Sequence, residues 1–257
     1  MRNTFIKELV KHARVDKNIV LIVGDLGYSV VEPFAEEFPD RFFNAGVAEQ
    51  NMTGIAAGLA SEGLHVFTYS IANFPLFRCA EQIRNDIDYH KLPVTIVGIG
   101  GGLAYGNLGY SHHAVQDFAL IRSMPNMLIS APGDPIEVSS CLDFLINNPQ
   151  PSYLRINKSG EPNFHTKKIN IYAGDLQFIK GSINSDNLLL CTGALLDLAI
   201  DVLNNKIENK KQWAIASLPM WGENYREKVF NQLNDFKKIY SFEEHLLSGG
   251  FGSYLLE

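Results

Sequence analysis

The strongest constraint on the fold is a repeated pattern in which a short apolar run ends near glycine and a helical pattern precedes or follows it. The run from Ile19 to Val23 stops at Gly24, and the run from Val94 to Gly98 leads into a glycine-rich loop. Runs that are apolar at every position are typical of parallel strands covered on both faces. Helical spacing marks residues 4–15 and 79–89. This alternation predicts an α/β fold, a parallel sheet with helices on both faces.

The composition changes after Glu161-Pro162, where Asn, Lys and Gly become frequent. We predict a parallel-sheet domain at residues 1–165 and a polar linker with a hairpin at 166–186. A second α/β pattern then begins, and it predicts a smaller domain at residues 187–257. The chain stops inside a helical pattern, so this second domain looks incomplete.

Charge and cysteine content exclude several classes of function. The 257 residues include 22 basic and 28 acidic side chains, a net charge of −6, which does not favour nucleic-acid binding. The longest apolar run, Val94 to Ala104, is glycine-rich and too short to span a bilayer. No secretory signal is visible. The three cysteines lack metal-ligand spacing. We therefore expect reduced core thiols, no metal site and no membrane segment in a cytoplasmic protein.

Glu49 is the acidic residue within an otherwise small and apolar stretch, residues 44–52, which leads into a small-residue helix pattern at 52–60. A carboxyl group there loses hydration, which favours its protonated form. It could serve a cofactor that needs a proton partner. The alternative is that Glu49 opens the helix, where the helix dipole favours a negative charge.

The segment Gly46-Val-Ala-Glu49-Gln resembles the Gly-Ile-(Arg/Ala)-Glu-(His/Gln) element of the transketolase family's pyrimidine-binding domain. In that family the glutamate protonates the aminopyrimidine ring of thiamine diphosphate. The resemblance implies that Glu49 is this catalytic residue. It also implies that Val47 lies beneath the bent cofactor.

Residues 70–84 bring two aromatic side chains to the end of a predicted strand. Their flat faces suit a heteroaromatic ring, although Phe74 and Phe77 also fit an ordinary core. The segment resembles the family's Thr-Phe-x-x-Phe-x-x-Arg-Ala-x-Asp-Gln-Ile-Arg sequence, whose phenylalanines stack on the aminopyrimidine. The directly matching positions are Arg78, Gln82, Ile83 and Arg84. The family's phenylalanine positions fall at Ala72 and Pro75 instead.

The resemblance therefore implies cofactor contacts from Phe74, after a shift of one residue, together with Phe77 and Arg78. For Arg78, a surface or interface ion pair is an equally good interpretation. The shifted aromatic positions leave open which ring stacks on the pyrimidine.

The glycine-rich loop at residues 98–117 contains adjacent His112 and His113. Its glycine spacing fits neither a dinucleotide fingerprint nor a P-loop. The loop resembles the family's Asp-Gly-Pro-Thr-His-Gln segment, whose histidine contacts substrate oxygens, and this implies that role for His112. The family's aspartate, four residues earlier, is Leu108 here, which argues against ordinary pentose phosphate substrates. His113 fits either a second substrate contact or a hydrogen bond within the loop.

Two cations follow the strand predicted at residues 152–156. Arg155 and Lys158 resemble the family's Leu-(Ser/Arg)-Arg loop, which holds the sugar phosphate. A guanidinium suits an anion as a planar fork and an ammonium as a point charge. A charge-paired strand edge is the alternative for both residues.

The diphosphate half of a thiamine diphosphate site does not appear. That half requires a Gly-Asp-Gly motif and a later asparagine that hold Mg²⁺. Gly24-Asp25-Leu26 lacks the second glycine, and Asn51 already lies in the Glu49 element. The resemblance therefore implies a separate N-terminal subunit that binds Mg²⁺ and the diphosphate, in an α₂β₂ assembly.

The function implied is transfer of a two-carbon ketol unit from a ketose, or ketose phosphate, to an aldose by a split transketolase. Two related enzymes share the glutamate motif and stay open. They are the β-type subunit of a 2-oxoacid dehydrogenase and a deoxyxylulose-phosphate synthase. A cofactor-free regulatory or interaction subunit is a third alternative.

Overall fold

The computed structural model describes residues 1–158 and 160–257 of the chain. Apolar strands and amphipathic helices alternate along it. The strands are β1 (Ile19–Val23), β2 (Phe42–Asn44), β3 (His65–Ile71), β4 (Val94–Ile99), β5 (Leu128–Ser130), β6 (Ser152–Ile156), β7 (Gln177–Lys180), β8 (Asn187–Cys191), β9 (Trp213–Ser217), β10 (Met220–Trp221) and β11 (Lys238–Phe242).

Seven strands form one sheet in the order β10-β5-β6-β4-β3-β1-β2, in which only β10 is antiparallel to its neighbour. Every residue of β1, β4 and β6 is buried. Both faces of these strands are therefore covered, which explains why their sequences lack a polar alternation. The predicted α/β fold with a mostly parallel sheet is confirmed.

The helices cover the two faces of the sheet and connect its strands. The α-helices are α1 (Arg2–Ala13), α2 (Glu32–Glu37), α3 (Glu49–Ser61), α4 (Phe74–Phe77), α5 (Ala80–Gln82), α6 (Asp117–Arg122), α7 (Pro135–Asn147), α8 (Leu196–Lys206), α9 (Arg226–Leu233) and α10 (Phe251–Leu256). A π-helical turn, Ile83–Asp88, continues α5. Within the described ranges, no helix is both long and apolar enough to cross a membrane.

A smaller sheet has the order β11-β8-β9-β7. The hairpin expected within residues 166–186 is wrong, because β7 pairs antiparallel with β9 instead. The sequence could not show this, since the pairing partner lies some thirty-five residues further along the chain. The boundaries at residues 165 and 187 stay a prediction.

The two sheets share one hydrophobic core. Strand β10 pairs with β5 of the larger sheet, and Trp221 is fully buried against Phe118 from the first half of the chain. Phe251 and Tyr254 of α10 pack on the same indole ring. The last third of the chain therefore completes the core beneath the larger sheet.

Candidate active site

The residues singled out from the sequence gather at one edge of the larger sheet. Four neighbouring or near-neighbouring strands, β2, β3, β4 and β6, end at this edge. Glu49 follows β2, Phe74 follows β3, His112 lies in the loop after β4, and Lys158 follows β6. Parallel strands place their carboxyl ends together, and ligands of open α/β sheets bind there.

Glu49 is the first residue of α3 and its side chain is only 3% exposed. Its Oε2 accepts a hydrogen bond from Arg78 Nη1 at 2.8 Å. In the described part of the chain, no backbone N–H of the helix donates to this carboxylate, so the structure does not support the capping alternative. Its backbone oxygen accepts from Thr53 Oγ1 within the helix. A desolvated carboxylate thus has one cationic partner.

Arg78 also begins a continuous row of aromatic contacts. Its guanidinium carbon lies 4.4 Å from the ring centre of Phe74. The Phe74 ring meets His112 edge-on at 5.1 Å, and His112 is 5.8 Å from Tyr105. Lys158 Nζ lies 3.9 Å from the centre of the Tyr105 ring. Four residues identified from separate sequence motifs therefore lie in one row.

The groups beside this row carry no charge near neutral pH. Burial raises the pKa of the Cys79 thiol, and the neighbouring Glu49 carboxylate adds to this effect. Burial likewise raises the pKa of Tyr105. Cys79 is therefore a protonated core thiol, and Tyr105 is a neutral phenol. Cys141 and Cys191 are also buried and unpaired with each other.

The adjacent histidines differ in their partners. His113 Nε2 lies 2.8 Å from the carbonyl oxygen of Gly106, the loop hydrogen bond that the sequence left as one of two interpretations. His112 Nδ1 lies 3.0 Å from Ser111 Oγ. Among the described residues, no hydrogen bond involves His112 Nε2. Of the two rings, His112 is the one that retains a ring nitrogen for a ligand.

Several apolar side chains along the edge face solvent. Val47 is 74% exposed, and Phe77 and Leu108 are about half exposed. Leu103 and Tyr110 of the same loop are exposed as well. Exposed apolar groups that cluster at a site of this kind mark a binding surface.

Arg155 differs from the expectation of an anion site. Its side chain is 5% exposed, and its Nε lies 2.8 Å from Asp117 Oδ2. Its Nη2 donates to the carbonyl oxygens of Ala114 and Glu244. The structure therefore supports the charge-paired alternative for Arg155, because its donors already have internal partners. Lys158 is partly exposed and has no carboxylate partner within the described residues.

The imitation of a Mg²⁺ motif is not assembled. Asp25 Oδ1 accepts from the Asn44 side chain, whose oxygen in turn accepts from the Asp25 backbone N–H. The described residues do hold one group of candidate metal ligands, Glu8, His12 and Asp143. These residues lie on α1 and α7 near the amino edge of the sheet, and Lys168 also pairs with Asp143. We assign them no part in the site.

The sequence did not identify Tyr105, which joins His112 to Lys158. A tyrosine between glycines in a loop that follows a strand was the available signal. It also missed Asp117 and Glu244, since their partnership with Arg155 depends on tertiary contacts.

Comparison with known proteins places the chain in a family. The model for the transketolase pyrimidine-binding domain matches residues 1–162. One of the two subunits of the apulose-4-phosphate transketolase of Actinobacillus succinogenes is 30% identical over the whole chain, which covers 82% of that protein. A putative transketolase C-terminal section of Methanocaldococcus jannaschii is 33% identical, again over the whole chain and 81% of that protein.

A more distant type of relative covers less of its own length. The 1-deoxy-D-xylulose-5-phosphate synthase of Clostridium perfringens is 31% identical over 99% of the chain, which spans 41% of that enzyme. Among solved structures, a split-gene transketolase described as an inactive beta4 tetramer has a TM-score of 0.85 and 30% identity. It aligns with 99% of the chain, which covers 82% of it. Campylobacter jejuni transketolase, 18% identical with a TM-score of 0.75, shares the fold over 94% of this chain and 42% of its own.

These matches agree with the position of the Glu49 element at the carboxyl edge of a parallel sheet. Matches to proteins described as a subunit and as a C-terminal section confirm the resemblance to the C-terminal part of a split transketolase. The chain belongs to the transketolase family of thiamine diphosphate-dependent enzymes.

Proposed function

We propose that this chain is the pyrimidine-binding subunit of a transketolase that moves a two-carbon ketol unit from a ketose phosphate to an aldose acceptor. The observation that carries the proposal is the row of Glu49, Arg78, Phe74 and His112 at the carboxyl edge of the sheet. A buried carboxylate, an aromatic face and an imidazole are in continuous contact there.

The residues present fit the aminopyrimidine half of thiamine diphosphate. The Glu49 carboxylate is desolvated and would hold a ring nitrogen, while Phe74 offers a flat face. Val47 would pack beneath the cofactor and Phe77 beside it. Arg78 is 49% exposed, so it can turn into water and release Glu49 to a ligand.

Each residue then has a defined task. When bound, thiamine diphosphate supplies the nucleophilic carbon that takes up the ketol unit. Glu49 exchanges a proton with the ring nitrogen, in a site where low hydration favours proton transfer over a fixed charge. His112 Nε2 hydrogen-bonds substrate oxygens. Lys158 attracts the substrate phosphate, the role that burial denies to Arg155.

A separate N-terminal subunit would supply Mg²⁺ and the diphosphate site. Asp25 and Asn44 hydrogen-bond each other and are not arranged as metal ligands. The related solved structure made of beta subunits alone is described as inactive, which agrees with a required partner. We therefore propose an α₂β₂ assembly with the cofactor at each contact between unlike subunits.

Leu108 narrows the substrate. It stands where the family has an aspartate, and its exposed apolar side chain cannot accept a hydrogen bond from a sugar hydroxyl. A donor that lacks the usual hydroxyl arrangement is therefore preferred. Apulose 4-phosphate, the substrate named for a 30% identical relative, is the first donor to test.

The test is reconstitution. This chain is mixed with the product of the adjacent reading frame, Mg²⁺ and thiamine diphosphate, and ketol transfer from a panel of ketose phosphates is followed. We expect turnover that disappears when the chain, the partner or the cofactor is omitted. Turnover without this chain, or no transfer from any ketose while cofactor binding is intact, would contradict the proposal.

A further inference from the structure

Arg155 lies where three segments of the chain meet. Its Nη2 donates to the carbonyl oxygens of Ala114 and Glu244, each at 2.9 Å. Its Nε pairs with Asp117 at the start of α6. One planar group therefore contacts the glycine-rich loop, the helix that follows it, and the segment after β11. Its surroundings leave it 5% exposed.

The contact with Ala114 is at the base of the loop that carries His112. Gly102 and Ala114 form a two-residue antiparallel bridge, with N···O distances of 2.9 and 3.0 Å. The Ala114 oxygen that closes this bridge is the one that accepts from Arg155. His112 is only two residues away, so a shift of Ala114 would move the imidazole.

The segment after β11 presses on the same base. A Cβ atom on Gly102 would lie 2.5 Å from the Glu244 side chain, so only glycine fits there. The N–H of Leu246 donates to the Val115 oxygen at 2.9 Å. The loop base is thus held between Arg155 and residues 243–250 of the smaller sheet's end.

We propose that Arg155 is a positioning residue, which holds the base of the loop and thereby the ring of His112 against Phe74. The role of His112 in turnover rests on the proposed function, whereas the link from Arg155 to the loop does not. The guanidinium is required because it reaches a carboxylate and two carbonyl oxygens from one fixed plane. A lysine ammonium can neutralise Asp117 but cannot replace this geometry.

The test compares Arg155→Lys with the wild-type full-length chain by hydrogen exchange. Lysine keeps Asp117 compensated, so the fold survives. We expect amide exchange in residues 102–116 to accelerate by about tenfold or more, while β4 and α7 keep their rates. Tyr153→Phe is the matched control, because it removes the other hydrogen bond to Asp117 Oδ2 and leaves the guanidinium in place.

Unchanged exchange in residues 102–116 of Arg155→Lys would overturn the proposal, and so would an equal acceleration across β4 and α7. Complete rescue by lysine would show that charge neutralisation of Asp117 is the whole role. Acceleration confined to the loop in Arg155→Lys, and absent in Tyr153→Phe, supports positioning.

A second arm uses the assembled enzyme with apulose 4-phosphate as the donor probe. Arg155→Lys is expected to raise KM by about tenfold and to leave the Kd of thiamine diphosphate within about twofold. An unchanged KM despite a loosened loop would overturn the link to substrate. If wild-type assemblies bind no cofactor, the proposed function fails, while the exchange experiment still decides what Arg155 holds.

Discussion

Two arginine–carboxylate pairs lie within the same half of the molecule and have the same 2.8 Å separation. In the Arg78–Glu49 pair the carboxylate is 3% exposed and the arginine 49% exposed. In the Arg155–Asp117 pair both side chains are buried, at 5% and 0% exposure. The difference shows that solvent access to the arginine, and not the distance, separates an exchangeable partner from a fixed one.

Their neighbours agree with this distinction. Arg78 stacks on Phe74 beside exposed apolar groups, so that a ligand can replace it at Glu49. Arg155 stacks on the fully buried ring of Phe118 and holds two backbone oxygens. We infer that the first pair belongs to the chemistry of the protein and the second to its architecture.

The largest effect is expected at the carboxylate of the exchangeable pair. Glu49→Gln keeps the shape but cannot exchange a proton, so turnover of the assembled enzyme should fall by about 10²–10⁴-fold. Circular dichroism and urea unfolding should show an intact fold. Glu81→Gln is the matched control, an exposed glutamate on α5. A Glu49→Gln rate close to wild type would remove Glu49 from catalysis.

The fixed pair should dominate stability. Arg155→Met leaves the buried Asp117 carboxylate uncompensated, so the free energy of unfolding should fall by about 3–5 kcal/mol. Urea unfolding of the full-length chain measures this loss. A change below about 1 kcal/mol would mean that Asp117 tolerates the loss of its partner, and that the comparison between the two pairs is wrong.

A pH effect on the fold can be separated from the site through His65 at the start of β3. Burial lowers the pKa of this histidine to about 4. The unfolded chain, whose histidine titrates near 6.5, then binds protons more readily than the folded chain. Stability should be complete above pH 6.5 and should fall by about 3 kcal/mol as the pH drops to 4.

Urea unfolding at pH 7, 5 and 4 tests this, with His65→Leu expected to flatten the slope and exposed His90→Gln expected to keep it. An identical slope in His65→Leu would assign the effect to other groups. Because His65 is at the opposite end of its strand from the site, changes in activity above pH 6.5 must come from elsewhere.

The smallest effect is expected from the exposed arginine. Arg78→Met should lower the free energy of unfolding by about 1 kcal/mol or less, since the guanidinium is half in water and water can hydrate Glu49 in its place. Urea unfolding beside Arg84→Met, another exposed arginine of the same segment, measures the difference. A loss as large as that of Arg155→Met would place both pairs in one class.

The sequence predicted most of the larger sheet because its strands are apolar at every position and its helices are periodic. Helix α7 and strand β6 lie where the pattern placed them. Strand β10 could not be predicted, because two residues carry no periodicity. The Glu49 element was recognisable because its residues are adjacent. Arg155 was misassigned because Glu244, one of its partners, lies 89 residues away along the chain.

The most direct test of the account is calorimetric titration of thiamine diphosphate with Mg²⁺, for this chain alone and for its mixture with the adjacent reading frame's product. The account predicts tight binding by the mixture and none by the chain alone. Tight binding by the chain alone would contradict the missing diphosphate half. Absence of binding in both would contradict the proposed enzyme and favour a non-catalytic interaction subunit.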